Sequence, residues 1–175
     1  MRATSLAVTA LAAALLLTAC GDDGDDDSDD TSRDSTACTI DDVGIEVGPA
    51  NAAPAAGDTG NVPVTVTNHG AECTLDGFPA VDLRTGGSSS TVPVDEAAKA
   101  TKQTLAGDAS TSFAITYVRG EEGGEDSLAV KTVRISLPGS PDAQDFPWTF
   151  GDVALKDAAS GAPDASVGPF QQTGD

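Results

Sequence analysis

Asn61-Val62-Pro63-Val64-Thr65-Val66-Thr67-Asn68-His69-Gly70 reads as a strand running into a turn. Val62, Val64 and Val66 occupy every second position, with Pro63, Thr65 and Thr67 between them. That period puts one face on a core and the other toward water. Pro63 has no N–H to give to a ladder, so the strand is expected to begin there or to lie on an edge. Asn68-His69-Gly70 supplies turn residues, with Asn68 and Gly70 able to take positive φ.

The same period recurs outward from this stretch. Val43, Ile45 and Val47 alternate upstream. Downstream come Val81 and Leu83, then Val92 and Val94 around Pro93. Phe113, Ile115 and Tyr117 share one face, with Ala114, Thr116 and Val118 on the other. Leu128 and Val130 have one parity and Val133, Ile135 and Leu137 the other, so a single strand there needs a bulge near Lys131-Thr132. Phe146, Trp148 and Phe150 alternate again, followed by Val153 and Leu155. Asp95 to Ala106 is the best candidate for a short helical turn. Gly-rich turns separate the runs, and no strand alternates with a long helix. The expected fold is all-β: an antiparallel β-sandwich of about seven to nine short strands over 38–175.

Composition limits how large that core can be. Leu, Ile, Val and Phe number 34 of 175 residues, and 28 of the other apolar residues are Ala. That fraction is close to the level below which highly charged chains stay unfolded. The chain carries 28 Asp and Glu against 9 Lys and Arg, a net charge of -19. Such a chain repels the phosphates of nucleic acid, so no nucleic-acid partner is expected. It also repels anionic headgroups, which leaves apolar or covalent attachment as the way onto a membrane.

Residues 1–19 carry Arg2 and then an uncharged run with Leu15, Leu16 and Leu17 at its dense end. This is the pattern of a secretory signal peptide. The alternative, a transmembrane helix, would have seventeen uncharged residues rich in Ala and Thr, at the lower limit of about 17 for a span. Leu17-Thr18-Ala19-Cys20 resembles the bacterial lipobox. That resemblance implies removal of 1–19, lipid on Cys20, and a location on the extracytoplasmic face of the cell membrane. Two acyl chains on one Cys meet the two-anchor requirement for stable attachment. Residues 20–37 follow as an expected disordered tether. From Gly21 it holds eight Asp and one Arg and no large apolar residue; like charges extend it. A calcium loop is disfavoured, since Gly24 comes too early and no Glu follows at the twelfth place.

The three cysteines are Cys20, Cys38 and Cys73. An odd number in an exported chain needs an explanation. With Cys20 lipidated, Cys38 and Cys73 remain and can pair in an oxidising compartment; the alternative is two free thiols.

Thr65-Val66-Thr67-Asn68-His69-Gly70, followed by Cys73-Thr74-Leu75-Asp76-Gly77-Phe78-Pro79-Ala80-Val81, resembles the central signature of DUF4232. This is a domain-of-unknown-function family common in actinobacterial lipoproteins. Leu105-Ala106-Gly107-Asp108 and Phe113-Ala114-Ile115 are similar to its later turn and strand, with Ala106 where Pro is usual. Val167-Gly168-Pro169-Phe170 looks like its terminal strand. The resemblance implies an Ig-like sandwich, an outward-facing lipoprotein and a Cys38–Cys73 bond. Many members have a second Cys pair, for which this chain has no counterpart. No activity comes with the family.

The candidate chemistry is thin. His69 is the single histidine, placed in a turn, so any Ser-His-Asp or Cys-His arrangement would have to use it. With one His and a Cys pair expected to be bridged, zinc lacks ligands. Asp41-Asp42 and Glu121-Glu122…Glu125-Asp126 are loop carboxylates, whereas a general acid needs one member desolvated. Ser88-Ser89-Ser90 has no evident base. Trp148 reads most simply as core; exposed on an edge strand, it would anchor a partner. No catalytic residue, cofactor or metal is expected. The function these residues favour is non-catalytic: a lipid-anchored module of the cell envelope, held to the membrane through Cys20 and meeting an envelope protein partner. The alternatives are a small extracytoplasmic hydrolase using loop carboxylates and a small-ligand-binding lipoprotein.

Overall fold

A computed structural model describes residues 37–172. The signal segment 1–19, Cys20 and the tether up to residue 36 lie outside the described residues. The described chain is an all-β antiparallel sandwich. One sheet has the order β1 (Val43–Val47), β2 (Thr59–Asn68), β7 (Ser110–Val118), β12 (Ala165–Val167), with β13 (Gln171–Gln172) also on β7. The other has the order β10 (Ala143–Pro147), β9 (Thr132–Ser136), β4 (Ala80–Arg84), β5 (Ser89–Thr91). Two short pairs complete it: β3 (Cys73–Leu75) with β6 (Gln103–Leu105), and β8 (Ser127–Leu128) with β11 (Val153–Ala154).

The alternation read from sequence sets which face is inside. Val62, Val64 and Val66 of β2 and Phe113, Ile115 and Tyr117 of β7 are buried, while the residues between them are half-buried or exposed. Val81 and Leu83 of β4 and Val133 and Ile135 of β9 bury the facing side. The two inner faces form one core cluster with Leu75, Trp148, Val153, Val167 and Phe170. At about 25 cal/mol per Å² of apolar area, this interlayer contact is the main stabilising term.

Several sequence-based expectations are corrected. Pro63 neither begins β2 nor lies on an edge strand, because β2 pairs with β1 on one side and β7 on the other. The Pro63 carbonyl accepts the Gly48 N–H, so its ring nitrogen also faces the β1 side. There β1 has ended at Val47, and the register slips by one residue before the Asn51–Asn61 bridge. The missing donor therefore falls where the ladder is already broken. Residues 128–137 are two strands in different pairings rather than one bulged strand: β8 joins β11, and β9 joins β4 and β10. Asp95–Ala106 contains a turn closed by Ala98 N–H on the Asp95 carbonyl, and then β6, with no helix. Val94 does not share the buried face of Val92; it is the one large apolar side chain left exposed among the described residues. The strand count is also higher than expected. Six strands have five residues or more, and seven shorter pieces join them.

Candidate functional site

The signature segment from Thr65 to Val81 links the two sheets, and its polar and sulfur groups hold that link. Asn68, at the end of β2, is completely buried. Its Nδ2 lies 2.8 Å from the Ala71 carbonyl, 3.0 Å from that of Leu105 and 3.2 Å from that of Ala106. Its Oδ1 accepts the Gly70 N–H at 2.9 Å. Neither Asn68 nor Gly70 takes positive φ, contrary to the sequence reading. The amide side chain itself makes the turn and ties it to the loop after β6. Gly77 does have positive φ, +119°, where the chain turns from β3 toward β4.

Asn68→Ala removes the donor shared by the Ala71, Leu105 and Ala106 carbonyls, of which the Leu105 contact is buried and the other two part-buried. Each buried group left unpaired costs about 1–3 kcal/mol, and part of this is recovered by relaxation. The expected loss is about 2–3 kcal/mol, measured by denaturant unfolding with an unchanged m-value. A loss below about 0.5 kcal/mol, the level of an ordinary surface change, would contradict the buried hub.

Cys38 and Cys73 are bonded, with Cα atoms 4.9 Å apart and 35 residues of separation. The Cys38 N–H donates to the Thr74 carbonyl, which holds the start of the domain to β3. Of the residues singled out from sequence, these two are brought together.

Other candidates are kept apart. His69 is exposed, and its N–H donates to the Asp42 carbonyl. Its ring passes over Gly44, with no catalytic partner among the described residues. Glu121, Glu122, Glu125 and Asp126 are exposed in the loop between β7 and β8. Asp41 and Asp42 form a single 3₁₀ turn, Ile40–Asp42, ahead of β1. Ser88 hydrogen-bonds Thr85 across the β4–β5 turn. Asp157 has its carboxyl held below the usual value, first by the Ser160 hydroxyl and then by the Ser160 N–H. That direction is opposite to what a general acid needs.

Trp148 is buried, as the simpler sequence reading expects. Its ring meets Tyr117 edge-on at 5.1 Å and Phe150 at 4.9 Å. Its Nε1–H donates to the Gly151 carbonyl at 2.6 Å. The Tyr117 hydroxyl donates to the Phe150 carbonyl and accepts the Ala53 N–H. This aromatic cluster fills one end of the interlayer space. At the other end Gln103 bridges strands: Nε2 donates to the Phe170 carbonyl and Oε1 accepts from Thr111. A shallow groove of about 540 Å³ runs beside it, between β6 and β13. Sequence reading missed Asn68, Tyr117 and Gln103 as polar anchors. An Asn at the end of an apolar strand was the one signal available.

A family model described as Domain of unknown function (DUF4232) matches residues 38–171. No curated protein and no solved structure matches the chain. The family match starts at the first half-cystine and ends in β13, so it takes in the whole sandwich, and the chain belongs to the DUF4232 family.

Proposed function

We propose that this chain is a lipid-anchored extracytoplasmic lipoprotein whose sandwich works by binding a protein of the cell envelope rather than by catalysis. One observation carries the reading. Cys38 and Cys73 are bonded to each other, so Cys20 is the cysteine left over, and it directly follows Leu17-Thr18-Ala19 and an apolar run. An odd cysteine in that position is the acceptor that lipid attachment requires. The acidic segment after it fits a spacer. Its seventeen residues span at most about 56–61 Å, and its charge is repelled by anionic headgroups. The exposed loop carboxylates and exposed His69 favour binding over proton transfer, which needs desolvated, paired groups.

Cys20→Ser tests the anchor. The native chain is expected to incorporate labelled fatty acid and sediment with membranes, while the variant does neither. A variant that stays labelled and membrane-bound overturns the assignment. Crosslinking in living cells then tests the binding role, with the variant as control. A stoichiometric partner captured only by the anchored form supports it; a hydrolytic activity lost on changing a single loop carboxylate to Ala replaces it.

A further inference from the structure

β1 is the outer strand of the larger sheet. It pairs with β2 on one side and with no other strand among the described residues. His69 N–H donates to Asp42, and Gly48 N–H donates to Pro63, so the backbone groups of residues 42, 44, 46 and 48 face β2. Those of Val43, Ile45 and Val47 face outward. The Val43 N–H turns back to the Ile40 carbonyl. The N–H groups of Ile45 and Val47 have no backbone partner among the described residues.

Unpaired edges invite pairing, and proteins blunt them with proline, charge or brevity. The other edges here are blunted in these ways. β10 ends in Pro147 and carries Asp145, and β5 has only three residues. β12 is covered where Val167 N–H meets the Pro93 carbonyl. β1 has five residues, one charge, Glu46, and no proline within it, with Pro49 two residues past its end.

We infer that β1 is a self-pairing edge, taken by β1 of a second copy of this chain, antiparallel, with Ile45 opposite Ile45. Within such a pair, local charge selects the register. The outward backbone groups belong to odd-numbered residues, so registers can change only in steps of two. One step in one direction sets Glu46 against Glu46, and one step in the other sets Asp42 against Glu46. Like charges directly opposite are destabilising. With Ile45 opposite Ile45, Glu46 faces Gly44 and Asp42 faces Gly48, and no two carboxylates meet. Gly44 has no side chain of its own to set against Glu46. A Cβ there would lie 2.7 Å from His69 Nε2, so the ring already occupies that spot. Glu46 of the second copy then comes to rest beside the His69 ring. Val43 and Ile45 keep their side chains in their own core throughout, and Val47 stays partly buried against it.

The test uses the full chain carrying Cys20→Ser, so that lipid does not drive association. Sedimentation is expected to show the mass doubling with concentration. Gly44→Asp, which puts a carboxylate opposite Glu46, is expected to return the chain to monomer with its circular dichroism unchanged. Adding Glu46→Lys to it restores the dimer. As a register check independent of those variants, chains with Gly44→Cys are mixed with chains with Glu46→Cys. Directly opposite residues that are not hydrogen-bonded have Cα atoms about 4.5 Å apart, within disulfide reach. The mixture is expected to crosslink, and neither chain alone to do so. A monomer at every concentration overturns the inference, and so does a dimer whose mixed chains do not crosslink.

Discussion

Reduction of the Cys38–Cys73 bond is expected to lower the stability of the domain by about 4 kcal/mol, from the chain-entropy relation for a closed loop of 35 residues. That is a large part of the roughly 5–15 kcal/mol available to a domain. The reason lies in composition. Few large apolar residues are present, so little core remains to compensate when the unfolded chain regains its freedom. The bond also joins the start of the domain to β3, a strand of three residues whose partner β6 is equally short. Thermal melts with and without a reductant are expected to differ by roughly 10–20 °C, at a few degrees per kcal/mol. Replacing both Cys38 and Cys73 by Ala should reproduce the reduced melt. An unchanged melt, or two free thiols by alkylation mass in the native protein, would count against the bond.

Trp148→Ala is expected to cost about 3–5 kcal/mol, the range for removing a large aromatic from a core. The indole packs edge-on against both Tyr117 and Phe150 and donates to the Gly151 carbonyl. Truncation therefore removes apolar contact, two ring pairs worth about 0.5–1.5 kcal/mol each, and a hydrogen bond. Trp148→Phe separates these. It keeps most of the contact and loses the donor, so it should fall well short of the Ala variant. Unfolding is followed by far-ultraviolet circular dichroism, because Trp148 is the single tryptophan. In the unsubstituted protein its fluorescence should resist iodide quenching until the domain unfolds. A cost below 1 kcal/mol for Trp148→Ala would mean that the ring is not part of the core.

The readable part of this fold was its faces. In β2, β4, β7 and β9, alternating residues meet opposite environments, and the period of two follows from backbone geometry alone. Trp148 could be assigned to the core for the same reason. The Cys38–Cys73 pair was legible too, from counting thiols and from the signature around Cys73. The described residues bear this out in the bonded pair.

Other features depend on neighbours distant in sequence. Pro63 looks like an edge residue, yet it sits within a doubly paired strand, because β1 stops opposite it. Val92 and Val94 have the same parity, but only Val92 reaches the core. β3 buries all three of its residues and so shows no alternation. Asn68 resembles an ordinary turn residue until the last residue of β6 and the one after it bring carbonyls to its side chain. Local order along the chain is enough to say that strands form and which sides face inward. Which strand lies beside which, and which polar groups are thereby closed off from water, is set by contacts between residues far apart in the chain, and those pairings leave no period behind.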